Sequence, residues 1–371
     1  MMTEGTSPGG FQGGTLASYA TAAAASLQNW HDQRTGLWAV PGRAPCGPND
    51  PGWWNSANAL YALIDYMHLT GAEGYLHVVG NTFDRHEGSG FLNQFYDDEG
   101  WWALAWINAH DLARERGLRE EERRYLTMAK TIFADMERGW DPRTCDGGVL
   151  WKKGTDGKNS IENELFLAVA ARLHQRVPFL EREHYRHWIA RAGQWFHDKF
   201  VAACPGDLIY DGLTSTGSHD GHEATFTYTQ GVILGALADM AAAGMDIAGH
   251  DSLAVARRIA DAVLASPVLV KDGVLTELGG PGAGTSNDLP QFKGIFMRNL
   301  GYLAAHIGPP DNAGYVAFIH RNAGSLLASN RNSANQFGYR WQGPFDGPDA
   351  IRQASALEAL NAGMRVGIEF A

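Results

Sequence analysis

Apolar positions along this chain recur with a helical period, and few stretches alternate in the way a half-buried strand does. The pattern predicts helices at about 14–32, 54–71, 73–87, 99–117, 119–138, 159–177, 181–200, 223–244, 248–266, 290–307, 311–329 and 349–363. They are of two kinds. The stretch 181–200 places Tyr185, Trp188, Ile189, Ala192, Trp195 and Phe196 on one face, with Arg182, Glu183, Arg186 and Arg191 between them. That is an amphipathic helix with one wet side. The stretch 119–138 is similar, opening on Arg119, Glu120, Glu121, Glu122, Arg123 and Arg124. By contrast 161–173 and 232–243 are apolar nearly all round, which is the mark of a helix enclosed on every side.

Wet-faced and enclosed helices alternate along the chain. A ring explains this better than a bundle or a solenoid: six buried helices form an inner layer, and six amphipathic ones wrap them. The expected fold is therefore an all-α (α/α)6 barrel, one domain over 14–371 after a disordered N-terminal segment at 1–13. Inner helices would start near 54, 99, 159, 223, 290 and 349. The links into them are long and rich in Gly, Pro, Asp and Trp, whereas the links back are short, as at Thr70-Gly71-Ala72 and Ala243-Gly244-Met245. Long loops therefore gather at one end, where a site would form. Within those loops Gly148–Trp151 and Val274–Thr276 read as small hairpins.

Composition narrows the function. The chain has 371 residues, a net charge of −11 and 12 tryptophans. With no basic run, a nucleic-acid groove is not expected, and with no 18-residue apolar span neither is a membrane-crossing helix. A neutral or weakly charged ligand fits. Three cysteines, Cys46, Cys145 and Cys204, have no paired spacing. Met1–Gly14 lacks the basic and apolar regions of a signal peptide, so a cytoplasmic location is expected. The alternative is a secreted protein from which a signal has been removed. The pattern is silent on oligomeric state.

The chemistry centres on Tyr96-Asp97-Asp98-Glu99-Gly100-Trp101-Trp102. Two adjacent aspartates stand before an almost uninterrupted apolar run, at the mouth of an enclosed helix. Free N–H groups and the positive end of the helix dipole favour one carboxylate staying charged. The other, crowded by a like charge and tryptophan walls, is expected to hold its proton to higher pH. One low and one high pKa side by side is what glycoside hydrolysis needs from a carboxyl pair. Adjacent residues at a non-helical turn reach the ~5–5.5 Å separation of a retaining pair more readily than the ~6.5–9.5 Å of an inverting one. The bland alternative is an N-cap aspartate with a solvated neighbour.

Aromatic faces and amide or carboxylate side chains cluster at the other inner-helix starts, as sugar rings require. Expected substrate-binding residues are Trp53, Trp54, Asn58, Tyr96, Trp102, Trp151, Asn159, Asn163, Tyr228, Gln230, Lys293 and Arg298, with Asp97 and Asp98 catalytic. No metal site or cofactor is expected. His219-Asp220-Gly221-His222-Glu223 does not match the helical zinc patterns and reads as a loop and cap. Gly279–Thr285 is glycine-rich but lacks the Lys-Ser/Thr ending of a phosphate loop and reads as a flexible rim. There is no Gly-x-Ser-x-Gly elbow.

The stretch Phe95–Trp106 resembles the Asp-Asp motif of glycoside hydrolase family 76, the endo-α-1,6-mannanases. So do Trp53–Leu60, Gly147–Trp151 with Lys158-Asn159, Thr227–Gly231, Phe292–Arg298 and Gln353–Leu357, in that order over nearly the whole chain. The resemblance implies an (α/α)6 barrel and a retaining mechanism on α-1,6-linked mannose. It also implies that Asp97 is the nucleophile and Asp98 the acid/base. Its partner would be an α-mannan-like oligo- or polysaccharide. Three alternatives remain: a transglycosylase on α-mannan or a mannose-containing glycolipid, an epimerase or unsaturated-uronide hydrolase, and a non-catalytic glycan-binding barrel.

Overall fold

The computed structural model describes residues 15–41, 45–277 and 288–369. The expected segment 1–13 and the rim Gly279–Thr285 lie outside the described residues. Twelve helices occur among the described residues: α1 (Leu16–Leu27), α2 (Trp53–Thr70), α3 (Leu76–His86), α4 (Tyr96–Glu115), α5 (Arg119–Arg138), α6 (Ser160–Arg176), α7 (Arg182–Phe196), α8 (Thr227–Ala242), α9 (Ser252–Ala265), α10 (Leu289–Ile307), α11 (Ala313–Ser329) and α12 (Ala350–Arg365). The even-numbered helices form the inner ring. Each packs against the next, and α12 closes back on α2. Of the outer layer, α1 lies on α12, α5 on α4, α7 on α6, α9 on α8, and α11 on α12 and α10. Helix α3 joins through Phe83, whose ring meets Trp106 edge-on at 4.9 Å. This is the (α/α)6 barrel expected from the alternation.

Burial follows the pattern that predicted it. Helix α5 buries Tyr125, Ala129, Ile132, Phe133 and Met136, a single stripe, whereas α4 is buried almost without a break from Glu99 to His110. Two glycines let inner helices approach backbone to backbone. A Cβ on Gly231 would lie 2.6 Å from Cα of Phe296, and one on Gly294 would lie 2.5 Å from Cα of Ser355.

The inner helices also hold the loops that enter them, through one repeated position. The fourth residue of α2, α4, α6, α8 and α12 is Ser56, Glu99, Asn163, Gln230 and Gln353 respectively. Each accepts a backbone N–H from the preceding loop: Trp38 at 3.1 Å, Asn93 at 3.2 Å, Val149 at 2.7 Å, Ile209 at 2.9 Å and Phe337 at 3.0 Å. Side chains on a helix lean toward its N-terminus, so a polar group in the first turn faces the incoming chain.

Strands are short and confined to the loops: β1 (His31–Asp32) with β2 (Leu37–Trp38), β3 (Lys158–Asn159) with β4 (Gly212–Leu213), and β5 (Val270–Lys271) with β6 (Val274–Leu275). The hairpin expected around Val274 is present. The one expected at Gly148–Trp151 is reduced to a single bridge between Val149 and Trp140. The β3–β4 pair joins two separate inter-helix loops and has no counterpart in the local pattern.

At the opposite end, where the inner helices finish, arginines meet carboxylates around a cavity of about 650 Å³. Arg172 pairs with Asp239 at 2.7 Å, Arg176 with Asp111 at 2.5 Å and Arg365 with Asp65 at 2.7 Å. Cations there offset the negative helix ends. Among the described residues no helix is long and apolar enough to cross a membrane.

Candidate active site

The N-terminal ends of α2, α4, α6, α8 and α10 border an open cavity of about 760 Å³, and Asp97 and Asp98 line it together. Helix α4 begins at Tyr96, three residues earlier than the pattern predicted, so the two aspartates lie inside its first turn rather than before it. The early start has a local cause. The Asn93 Oδ1 accepts the Phe95 N–H at 2.8 Å, an Asx turn, and the carbonyl of Trp151 accepts the Tyr96 N–H at 3.0 Å.

Each carboxylate has its own side-chain donor. Trp151 Nε1 donates to Asp97 Oδ2 at 3.1 Å, while Asp97 Oδ1 accepts the Asp98 N–H at 2.9 Å. Asn93 Nδ2 donates to Asp98 Oδ2 at 2.6 Å. Burial pushes Asp97 up to about 6, against the pull of those two donors. Asp98 is raised well above the carboxylate range, first by burial and then by the charge of Asp97. The expectation of one low and one high carboxyl is corrected here: both are raised, because burial outweighs the helix dipole, and the two charges oppose each other. Behind them Glu99, fully buried, pairs with Lys153 at 2.6 Å, and Lys153 also reaches Asp135 at 2.5 Å.

The walls are aromatic. Tyr228 stacks on Phe292 with centroids 3.9 Å apart at 17°, and Phe292 continues to Trp54 at 6.2 Å and Trp54 to Trp101 at 5.9 Å. Trp54 Nε1 donates to Asp288 Oδ1 at 3.1 Å, tying the start of α2 to the start of α10. On the other side Trp151 is 37 % exposed, packed against Phe95 at 5.1 Å.

Of the expected substrate-binding residues, Trp54, Trp151, Asn159 and Tyr228 line this cavity. The other eight do not, and their side chains are engaged elsewhere. Trp53 is only 1 % exposed and packs on His86, Phe91 and Trp102, with Trp102 wholly enclosed. Trp53 and Trp54 are neighbours on a helix, about 100° apart, so only one of them faces the cavity. The Tyr96 ring lies under Lys153 at 5.1 Å and against Gly139. Asn163 and Gln230 are spent on loop backbone, at Val149 and Ile209. Lys293 donates to the Tyr339 carbonyl at 2.6 Å. Arg298 and Asn58 lie deeper in the barrel, where Arg298 bonds Asn58 at 3.0 Å and Glu358 at 2.6 Å.

Other cavity residues were missed as site residues. Asn93 had a usable signal, an Asn two residues before Phe95 and just ahead of a helix start. Asp288 stands just ahead of the expected helix at 290, at an inner-helix start, and that position was its signal. Asp50 and Asp211 had none, since acidic loop residues are ordinary and only folding brings them to the same rim. His219 is a loop residue, its ring nitrogens facing the carbonyls of Gly212 at 2.8 Å and Lys199 at 2.9 Å.

An acid pair at the aromatic-walled mouth of a helical double ring has the chemistry of a carbohydrate-cleaving enzyme. Residues 15–366 match the family described as glycosyl hydrolase family 76. The chain belongs to this family and is a glycoside hydrolase. It is similar to the mannan endo-1,6-alpha-mannosidase of Saccharomyces cerevisiae, 25% identical over 336 residues, covering 83% of this chain and 71% of the relative. Its fold is similar to that of an alpha-1,6-mannanase from a Salegentibacter species, with a TM-score of 0.78 and 24% identity over 94% of this chain and 98% of that one. A further structure of that enzyme, at the same TM-score and identity over 94% and 99%, is an inactive variant with two consecutive aspartates changed to asparagine, in complex with alpha-1,6-mannotriose.

Proposed function

We propose that this protein cleaves α-1,6-linked mannose chains with retention of anomeric configuration, through a covalent mannosyl-enzyme on Asp97. The observation that carries the reading is the placement of the aspartate pair: two neighbours in one helical turn, facing one aromatic-walled cavity, with Asp97 held by the N–H groups of Trp151 and Asp98 and the Asp98 carboxyl held by Asn93. The names of the relatives supply the linkage, α-1,6-mannan.

In the first step Asp97 attacks the anomeric carbon of a mannose. Asp98 gives its proton to the glycosidic oxygen, and the shortened chain leaves as an alcohol. Asp98, now a carboxylate, then takes a proton from water as that water attacks the same carbon, releasing Asp97 and restoring both groups. Asp97 is the ionised nucleophile because two N–H donors hold its charged form, and two like charges side by side do not both ionise, so the proton stays on Asp98. The Tyr228–Phe292–Trp54 wall offers flat apolar faces to the CH sides of the sugar rings.

The test is incubation with linear α-1,6-mannan, followed by proton NMR of the first product. The α anomer should appear before mutarotation. Asp97→Asn should lower kcat by at least about a thousandfold. A β anomer appearing first, or near-normal turnover by that variant, would overturn the reading.

A further inference from the structure

The loop between α5 and α6 touches the first turn of α4 twice through one residue. The carbonyl of Trp151 accepts the Tyr96 N–H at 3.0 Å, and its indole N–H reaches Asp97 Oδ2 at 3.1 Å. The contacts are to consecutive residues of the helix, so Trp151 fixes where α4 begins and how its second residue is turned. The loop is itself anchored, with the Trp151 N–H on the Gly157 carbonyl at 2.9 Å and the Lys153 N–H on the Gln94 carbonyl at 2.9 Å.

We propose that Trp151 is a positioning residue for the reaction, orienting the Asp97 carboxylate through its indole N–H in addition to any stacking on sugar. This rests on Asp97 being the nucleophile. The last torsion of an aspartate, about Cβ–Cγ, is broad, so the carboxylate turns unless both oxygens are held. One oxygen of Asp97 is held by the Asp98 N–H, inside the same helix. The other is held by Trp151, from a different loop. Losing the Trp151 donor removes the one hold that comes from outside the helix, in a cavity whose other carboxylates repel the charge. A near-attack geometry then becomes one orientation among several, which costs rate rather than binding. The exposed face of the same ring is open to the cavity, so stacking and orientation are separable by chemistry: phenylalanine keeps a flat face and has no N–H.

The experiment compares Trp151→Phe with Trp151→Ala on α-1,6-mannan oligosaccharides and adds a readout that needs no substrate. Trp151→Phe should lower kcat about tenfold or more with KM changed less than about threefold. The acid limb of its kcat/KM profile should move to higher pH, because a donor to the ionised form is gone. Trp151→Ala should lower kcat and raise KM together. In the unaltered protein, one indole N–H resonance should titrate near pH 6 and lose that titration in Asp97→Asn. A Trp151→Phe enzyme altered only in KM, or unaltered throughout, would sink the proposal, as would the absence of any indole resonance that follows Asp97. Failure of the unaltered enzyme to cleave α-1,6-mannan would instead count against the assigned substrate, and the indole titration would still decide the role of Trp151.

Discussion

Gln230, on the first turn of α8, holds both backbone groups of Ile209: its Oε1 accepts the Ile209 N–H at 2.9 Å and its Nε2 donates to the Ile209 carbonyl at 2.7 Å. A side-chain amide thus stands in for a neighbouring strand. The loop it fixes runs on to Asp211 at the cavity rim and to β4, which pairs with β3 beside Asn159. Gln230→Leu would leave a buried N–H and a buried carbonyl without partners. Each costs about 1–3 kcal/mol, so the loss of stability should be about 2–6 kcal/mol, measured by chemical denaturation. A variant within ~0.5 kcal/mol of the parent would show that the amide is dispensable.

The activity should have a bell-shaped pH dependence. Asp97 works ionised, so kcat/KM should fall as pH drops through about 6. Asp98 works protonated, so the rate should also fall once pH rises through its raised value. An acid limb near pH 4, the ordinary carboxylate position, would contradict the burial argument.

Asp288 should tune this bell. Its charge raises both Asp97 and Asp98. Asp288→Asn removes the charge and keeps an oxygen for the Trp54 N–H, so both limbs should move to lower pH with the wall in place. The check is the kcat/KM profile of the variant beside that of the parent. Limbs that stay put would mean the charge of Asp288 is screened from the pair.

Lys158 should matter for stability more than for contact with sugar. Its buried Nζ donates to three carbonyls of the loop before it, Asp141 at 2.7 Å, Thr144 at 2.5 Å and Gly147 at 2.6 Å. Lys158→Met keeps the length and loses all three bonds. We expect a loss of about 3 kcal/mol or more in denaturant titration. Activity should fall too, because the same loop carries Trp151. Unchanged stability would show that the three carbonyls find other partners.

Much of this architecture was legible in the residues. Period and wetness of face located the twelve helices, and loop length showed which end would be crowded. The site was legible only in part, for a geometric reason. Composition placed polar and aromatic groups near the mouth, but a helix turns about 100° per residue. Trp53 therefore points into a cluster of rings while Trp54 faces the cavity. Asn163 and Gln230 share the side-chain chemistry of sugar ligands, yet they stand at the one helical position that faces the incoming loop, and the loop claims them.

What the sequence determined by itself is what short-range physics can settle. Helical periodicity, which faces are wet, and two acids at the head of an enclosed helix all depend on neighbours within a few turns. The tertiary structure alone decided what depends on the solvent each group loses and on partners brought from far along the chain. It joined β3 to β4 across two loops, set Asp288 against Trp54, and aimed the Trp151 N–H at Asp97. It also raised both carboxyls rather than one, because the cost of burying charge is set by the whole enclosing ring, and no local pattern records it.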